Sequence, residues 1–449
     1  MVDIYTLNLG GLLALCGALF VAQSRSNASK KDNTKTKKKP QVKNESSKSQ
    51  LPFLLIYALV MGADWLQGPF LYSLYHDEYH LSHTLISTLF TTGFCSGAVS
   101  GAFIGSLADK HGRKAACLFF CVAYSLSCLF TILPPPGSSP VLLFTARALG
   151  GLSTSLLFSV FESWMVADFY ARGLDKNGRS LSSTFGTMST LNSLVAIGSG
   201  VGSEWLVAAA GTRKAPFVAS TVLLGVAFVG IWLSWDEYYG ESNTTNTSSN
   251  KKTNQEQTKD KSTLVKILTN PKIFSLGLAS TIFEGSMYLF VFFWTPALRS
   301  TQQSPETDLP YGVIFASFMA SCLASSLAFN TVLSNAVTQS TLLLLILGTS
   351  AFCFFLSATP ASEQAAFWVF CLFEAAVGVY WPCMGTLKGN LIDDGIRAQV
   401  YGMLRVPLNV FVVVSLLVTG EGAAAYGRVF MACGMMLAGA SGVLWVVGL

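Results

Sequence analysis

Long apolar runs alternate with short polar segments along the whole chain. Thirteen of the runs are long enough to cross a bilayer as a helix, which takes about 20 predominantly apolar residues. The first covers roughly 4–22 and stands apart from the rest. Twelve predicted spans follow, at 52–76, 84–108, 114–133, 139–168, 181–210, 215–235, 271–298, 310–336, 338–358, 363–390, 398–420 and 424–448. The pattern predicts an all-α integral membrane protein.

Two polar segments interrupt this series and divide the chain. The first is rich in lysine, and the second is rich in Asn, Thr, Ser and Lys. Both compositions are typical of linkers that are too polar to pack. The predicted organisation is an extra N-terminal transmembrane helix at 1–22, a Lys-rich cytoplasmic linker at 23–50, a six-helix bundle at 51–235, a cytoplasmic central loop at 236–270 and a second six-helix bundle at 271–449.

The distribution of positive charge predicts the orientation, because cytoplasmic loops of membrane proteins carry an excess of Lys and Arg. Of the 29 such residues, four fall in loops on the opposite side and two inside spans, which leaves 23 on the side of the 23–50 linker. That linker is therefore expected in the cytoplasm. N-glycosylation sequons at Asn27, Asn44, Asn243 and Asn246 favour the opposite orientation, but such sequons arise easily in Asn/Ser/Thr-rich linkers.

The N-terminal run could instead be a cleaved signal peptide. It lacks a basic start and is followed by a dense run of lysines, which favours a retained anchor. The two groups of six spans also resemble each other. Asn192 precedes Glu204 by twelve residues in one half, and Asn409 precedes Glu421 by twelve in the other. Such matches indicate a duplication with parallel halves.

Composition excludes several function classes. Only 12% of the 449 residues are charged and 51% are hydrophobic, so the net charge of +5 does not indicate nucleic-acid binding. All ten cysteines lie in apolar stretches without a CxxC or Cys/His pairing, which predicts neither a metal site nor a disulfide framework. No catalytic constellation is visible, so we expect neither an enzyme nor a cofactor.

The turn GSLADKHGRK, at 105–114, is unusually charged for its surroundings. Its spacing of Gly105, Asp109, Gly112, Arg113 and Lys114 resembles the signature loop of the major facilitator superfamily. Further stretches resemble the eukaryotic molybdate-anion transporter branch of that superfamily; they are ADWLQGPFLYSLY, RALGGLSTSLLFSVFESW, FVFFWTPAL, GVIFASFMASCLASSL and RVPLN. The resemblance covers nearly all of 51–449.

This resemblance implies a major facilitator fold of two pseudo-symmetric six-helix bundles, with one extra N-terminal helix. It implies that the 105–114 loop is a conformational latch, in which the charges bind neighbouring helix ends and the two glycines allow close backbone approach. The simpler alternative is that its cations only fix the orientation. The second half carries FNTVLSNAVTQS, at 329–340, where a charged copy of the loop would stand.

Two arginines lie inside predicted spans, one in each half: Arg147 and Arg405. A tetrahedral oxyanion must exchange its water for fixed donors, and the planar, permanently charged guanidinium suits that task. We expect both to line a cavity between the bundles and bind the anion. Neutral donors are expected from Asn192, Asn409, Ser153 and Thr154. Alternatively, each arginine pairs with a buried carboxylate, for example Arg147 with Glu162 or Glu374.

Ionisable residues inside a span cost roughly 2.5–3.5 kcal/mol on insertion scales and point to function. Asp64, Glu284 and Glu374 lie near the middle of their spans, and Glu162 lies nearer the cytoplasmic end of its own. Since carboxylates repel an anion, we assign these four residues to proton coupling or to structural charge pairs.

The expected function is uptake of molybdate by a secondary-active, alternating-access transporter, with proton coupling left open. The substrate follows mainly from the family resemblance, and a sulfate-like anion or a small metabolite is the alternative within transport. A non-transporting receptor or scaffold is the alternative from another class, although it has little use for charges inside spans. We expect a multi-pass monomer in the lipid bilayer of the plasma membrane, or else of an endomembrane such as the vacuole.

Overall fold

The computed structural model describes residues 4–34, 50–135, 137–175, 180–240, 270–302, 308–329, 337–360, 362–391 and 397–448. Side chains are described over the same ranges except 26–34 and 397–405. The 329–340 segment therefore lies mostly outside the described residues, as do nearly all of the central loop and most of the Lys-rich linker.

Fourteen helices of eight residues or more make up most of the described chain, and most of their bounds lie close to the predicted spans. They are α1 Ile4–Thr34, α2 Leu51–Gln67, α3 His83–Gly101, α4 Ile104–His111, α5 Arg113–Ile132, α6 Val141–Ala171, α7 Leu181–Ala210, α8 Ala215–Ser234, α9 Pro271–Arg299, α10 Tyr311–Ala328, α11 Gln339–Ala358, α12 Glu363–Leu391, α13 Arg397–Val418 and α14 Ala423–Val447. A 3-10 turn and a π-helical turn, Leu74–Glu78, extend the span that begins with α2.

Eleven of the described helical segments are long and apolar enough to cross a membrane, and the pair α3 and α4 makes a twelfth span bent by 52°. The apolar stretch of α13 within the described side chains is shorter, at Val406–Val418. The prediction of a helical multi-pass membrane protein with an extra N-terminal helix is confirmed.

Sequence signals at the helix ends explain where the spans begin and stop. Ser82, Ser180 and Thr338 cap α3, α7 and α11, each accepting a hydrogen bond from a backbone N–H in the first turn. Asn270 does the same for α9, and Pro271 follows it at the first helical position. Gly211 ends α7 in the left-handed conformation, with φ 68°.

Exposed apolar stripes run along several helices. On α8 the stripe consists of Val218, Val222, Val226 and Val229, and on α13 of Val406, Val410, Val414 and Leu417. Both sets recur at intervals of four, four and three residues, which places them on one helix face. Such faces are stable in lipid, where apolar side chains need no protein partner.

The described chain forms two compact units. The first comprises the described residues of Met1–Gly10, Ser24–Ser242 and Pro310–Ala320, and the second comprises those of Gly11–Gln23, Asn243–Leu309 and Ser321–Leu449. The units differ from the two halves of the sequence in α1 and at the start of α10. The predicted six-helix bundles at 51–235 and 271–449 stay a prediction.

The start of α10 belongs to the first unit because it packs tightly on α7. A Cβ on Gly312 would lie 2.3 Å from the carbonyl oxygen of Gly200, so only glycine permits this crossing. The carboxylate of Glu204 accepts a 2.8 Å hydrogen bond from the Gly312 N–H and thereby caps α10. Phe315 packs against the ring of Trp65, with centroids 5.7 Å apart.

Candidate functional site

Arg147 is positioned by a close crossing of α3 and α6. A Cβ on Gly151 would lie 2.1 Å from the carbonyl oxygen of Gly93, so the two backbones touch. Ser155 and Ser96 hold the crossing by donating hydrogen bonds to Gly97 O, at 2.7 Å, and to Ala148 O, at 2.6 Å. This small-residue packing is typical of helices in membranes.

Among the described residues of the first unit, the guanidinium of Arg147 has no ionic partner. It lies over the ring of Phe90, with Cζ 5.0 Å from the centroid, in a cation–π contact. Its Nε is buried without a hydrogen-bond partner among the described residues, and no described carboxylate of this unit forms an ion pair with it. A Cβ on Gly93 would lie 2.9 Å from Nη2, so this glycine leaves room for the guanidinium.

Asp64 lies within Coulombic range of Arg147 but is bound by another residue. Its Oδ1 accepts a 2.5 Å hydrogen bond from the hydroxyl of Tyr124 on α5. Next to it on α2, Trp65 donates its indole N–H to Oδ1 of Asn192 at 2.8 Å. The oxygen of Asn192 accepts this bond, and its NH2 group, the donor part of the amide, can donate to an anion.

The structure does not bring all the predicted donors of α6 to Arg147. Ser153 is six residues further on, about 240° around the helix, where its hydroxyl is buried without a hydrogen-bond partner among the described residues. Thr154 shares the face of Arg147, but it is exposed and donates to Gly150 O at 3.0 Å. Glu162 is exposed and about 22 Å along the helix from Arg147, which excludes the alternative pairing of these two.

The corresponding residues of the second unit are only partly described. Arg405 belongs to α13, and its side chain lies outside the described residues. Asn409, one turn further on, is half-buried. Glu374 on α12 is 5% exposed and has no hydrogen-bond or ion-pair partner among the described residues of this unit.

Glu284 is the centre of a polar cluster in the second unit. Its Oε1 accepts hydrogen bonds from Ser280, at 2.6 Å, and from Tyr380, at 2.8 Å. Lys388 Nζ forms an ion pair with the same oxygen at 3.4 Å and donates to Ser280 Oγ at 2.7 Å. The charge distribution along the sequence predicts Lys388 among the cytoplasmic charges. The signal that could have found it is the polar pair at 280 and 284, one turn apart on an otherwise apolar helix.

The 105–114 turn holds an ion pair of the kind that its residues predict. Asp109 Oδ1 accepts from Arg113 Nε, at 2.8 Å, and Arg113 also donates to the carbonyl of Ser163 at 3.0 Å. Lys114 donates to two carbonyl groups at the end of α8, those of Trp232 and Trp235. The loop charges therefore tie α4 and α5 to α6 and α8 within the first unit.

The two glycines of this turn differ. Gly112 has φ 109°, and a Cβ on it would lie 2.6 Å from Glu237 Cδ, so glycine is required there. Gly105 was expected to allow a similarly close approach, and that expectation is wrong. A Cβ there would meet Ser159 Oγ at 4.0 Å, which is ordinary van der Waals contact.

Residues 235–240, WDEYYG, cover the turn, although 236–270 was expected to be too polar to pack. Both carboxylate oxygens of Glu237 accept from the first turn of α5, from Lys114 N at 2.7 Å and Ala115 N at 3.0 Å. Negative charge at a helix N-terminus is stabilising because the free N–H groups and the helix dipole point there. The ring of Trp235 stacks on Trp164 with centroids 3.7 Å apart. The polar composition of 236–270 gives no signal of this packing.

Tyr238 adds a link to the end of α6. Its hydroxyl donates to Asp168 Oδ1 at 3.2 Å, and Asp168 is paired with Arg172 at 2.7 Å. Burial, and then the charge of Asp168, raises the pKa of Tyr238 to about 12. The phenol therefore stays protonated and remains a donor at any physiological pH.

A groove of about 300 Å³ lies elsewhere in the second unit, with Arg428 among its mostly apolar lining. None of the predicted site residues whose side chains are described lines it. Among the described residues, no group of three or more His, Cys, Asp or Glu side chains is placed to hold a metal ion.

Sequence comparison gives the family. Residues 4–367 match the profile of a family described as sugar transporters with 12 transmembrane segments. The chain is 30% identical to the molybdate-anion transporter of Xenopus tropicalis over 423 residues, covering 91% of this chain and 86% of the relative. It is also 30% identical to the molybdate-anion transporter of Danio rerio over 465 residues, covering 95% and 92%.

Solved structures agree on the fold. The nucleoside transporter NupG aligns with a TM-score of 0.67 and 11% identity, covering 89% of this chain and 98% of that one. The peptide transporter POT in complex with sulfate aligns with a TM-score of 0.67 and 12% identity, covering 91% and 96%. The chain belongs to the major facilitator superfamily, in the family of the molybdate-anion transporters, and is a multi-pass membrane protein of this non-enzymatic transporter class.

Proposed function

We propose that the chain transports molybdate across the membrane by alternating access, and that Arg147 binds the anion directly. The observation that carries this proposal is the unpaired guanidinium of Arg147. The names of the 30% identical relatives supply the substrate class.

An arginine without an ion pair is expensive inside a span, because the charge is removed from water and Asp64, although within Coulombic range, forms no ion pair with it. An oxyanion bound there supplies the missing charge and accepts several of the guanidinium N–H groups at once. The NH2 group of Asn192 is a neutral donor that Trp65 holds in one orientation. An arginine and a neutral amide are both donors, which suits a tetrahedral oxyanion better than a neutral sugar.

We assign proton coupling to Asp64 and Glu374. Neither carboxyl forms an ion pair with a described cation of its own unit, which favours proton coupling over a structural charge pair. A carboxyl that gains a proton as the dianion binds reduces the net charge that has to cross the membrane. The same proposal retains the 105–114 turn, with Asp109 and Arg113, as a latch for one conformation, and places the protein in the plasma membrane.

Uptake of labelled molybdate at nanomolar concentration tests this function. Cells with little molybdate uptake of their own would express the wild type, Arg147→Ala or Arg147→Lys, with surface expression measured in parallel. Competition by tungstate and sulfate, at equal concentration and in excess, and addition of a proton uncoupler test selectivity and coupling in the same assay.

We expect uptake by the wild type, at least tenfold less with Arg147→Ala, and partial activity with Arg147→Lys because it keeps a point charge without the fork. No uptake by a wild type that reaches the surface removes the molybdate assignment. Inhibition by sulfate at equal concentration reassigns the protein as a general oxyanion transporter.

A further inference from the structure

Lys388 has an unusual position for a lysine near the end of a span. It is three residues before the last residue of α12, Leu391, and long cationic side chains near helix ends normally extend to the water at the interface. Its ammonium instead lies among side chains of α9, at Ser280 and Glu284, and the side chain is only 15% exposed. Helical side chains tilt toward the helix N-terminus, which directs this one toward the middle of the span.

The ion pair of Lys388 and Glu284 is loose. Its N–O distance is 3.4 Å, whereas charge-assisted hydrogen bonds are about 2.7–2.9 Å. Glu284 Oε1 also accepts shorter hydrogen bonds from Ser280 and Tyr380. The carboxylate therefore keeps the Tyr380 donor when the ammonium leaves and the Ser280 hydroxyl turns to the anion, so the separation leaves no unsatisfied buried anion.

Lys388 brings a largely buried positive charge into its own unit. Among the cations of the second unit whose side chains are described, Lys388 is 15% exposed. Arg299, at the end of α9, is half-buried, whereas Lys272, at the start of α9, and Arg428, near the start of α14, are exposed. The Ser280 hydroxyl beside it is a neutral hydrogen-bonding group that an oxyanion can use.

We propose that Lys388 and Ser280 form an oxyanion-binding site in the second unit, in which the anion replaces Glu284 as the partner of Lys388. The inference rests on the proposed function and adds a ligand to it. Glu284 is then the internal counter-ion that neutralises Lys388 while the site is empty. Substrate and Glu284 compete for one ammonium, so Glu284 weakens binding and promotes release.

Equilibrium dialysis of the purified full chain in detergent against labelled molybdate tests this exchange. The variants are Lys388→Gln, Glu284→Gln, the double variant with both changes, and Lys388→Arg. Lys272→Gln is the matched control, since it removes an exposed lysine from the first turn of α9, the helix that carries Ser280 and Glu284. Monodispersity on size exclusion shows that each variant is folded.

We expect Lys388→Gln to weaken molybdate binding on the order of tenfold or more, as the loss of one charge-assisted hydrogen bond predicts. Lys388→Arg and Lys272→Gln should stay within threefold of the wild type. Glu284→Gln should bind as tightly as the wild type or more tightly, and the double variant should bind as weakly as Lys388→Gln. Should Lys388→Gln aggregate, retained binding by Lys388→Arg with tighter binding by Glu284→Gln supports the exchange by itself.

A purely structural ion pair gives a different pattern. Both single variants would then weaken binding together, and the double variant would recover it, which overturns the proposal. Unchanged binding by Lys388→Gln also overturns it while leaving the proposed function intact. A wild type that binds no molybdate overturns both.

Discussion

The hydroxyl of Tyr124 donates a 2.5 Å hydrogen bond to Oδ1 of Asp64. Tyr380 makes the equivalent contact to Oε1 of Glu284, at 2.8 Å. Asp64 and Glu284 are the acids of the first span in each half of the sequence, so each unit fixes its first-span acid with a tyrosine from another helix. A cation accompanies each pair, Lys388 in an ion pair with Glu284 and Arg147 within Coulombic range of Asp64.

Removing the hydroxyl of Tyr124 should destabilise the first unit. Tyr124→Phe deletes the donor to Asp64 and leaves the carboxyl with one partner fewer in a low-dielectric site. We expect a loss of about 1–3 kcal/mol, measured as a lower thermal midpoint of the purified protein in detergent. Tyr170→Phe is the control, because Tyr170 is exposed on α6. Equal midpoints for the two variants would show that the hydrogen bond does not contribute.

Asp64 should determine the pH dependence of transport. If it carries a proton with the anion, wild-type uptake rises as the outside pH is lowered from 7.5 to 5.5, and Asp64→Asn flattens that profile. Asp175→Asn, an exposed residue after α6, should keep the wild-type profile. Initial uptake rates across this pH range are the measurement, and a steep profile in Asp64→Asn would exclude the residue from coupling.

The sequence predicts the spans well because each one is a long apolar run whose ends are marked by Ser, Thr, Asn or Pro. The predicted and observed bounds of α7, 181–210, coincide. Side-chain partners are harder to predict because they join distant parts of the chain. Tyr124 and Asp64 are 60 residues apart, and Lys388 and Glu284 are 104 apart. Single tyrosines in apolar helices carry no local signal of such contacts.

The charged turn at 105–114 also depends on contacts with distant parts of the chain. Its glycines, Asp109 and Arg113 could be recognised from their spacing, but the spacing did not distinguish Gly112 from Gly105. Gly112 is indispensable because of its φ of 109° and because of the position of Glu237, which lies 123 residues from Lys114. A polar composition also concealed the packing of WDEYYG, since its contacts are made by two or three side chains and its backbone.

Alanine substitution should separate these two glycines. Gly112→Ala forces a side chain into a backbone conformation that costs about 1–3 kcal/mol and drives its Cβ into Glu237. We expect a large loss of folded protein and of thermal stability. Gly105→Ala should be close to neutral, since its Cβ meets only Ser159 at 4.0 Å. Similar yields and midpoints for the two variants would contradict the arrangement of the turn.

Two glycines of α7, one at its crossing with α10 and one away from it, give another matched pair of variants. Gly200→Ala would place a Cβ 2.7 Å from Gly312 O, whereas Gly198, on the same helix, has nothing within 4 Å of its Cβ position. We expect Gly200→Ala to reduce transport at least fivefold, through displacement of α10, and Gly198→Ala to transport at the wild-type rate. Rates are to be normalised to surface protein, and a normal rate for Gly200→Ala would show that the close contact is not needed for transport.

The central claim is that the unpaired guanidinium of Arg147 binds the transported anion. The most direct measurement is the initial rate of labelled molybdate uptake into proteoliposomes that contain purified wild type, Arg147→Gln or Arg428→Gln. Arg428 is an exposed arginine outside the predicted site, so its variant controls for loss of one positive charge. We predict uptake by the wild type and by Arg428→Gln, and at least a tenfold lower rate with Arg147→Gln in equally folded protein. Equal rates for the wild type and Arg147→Gln would contradict the claim.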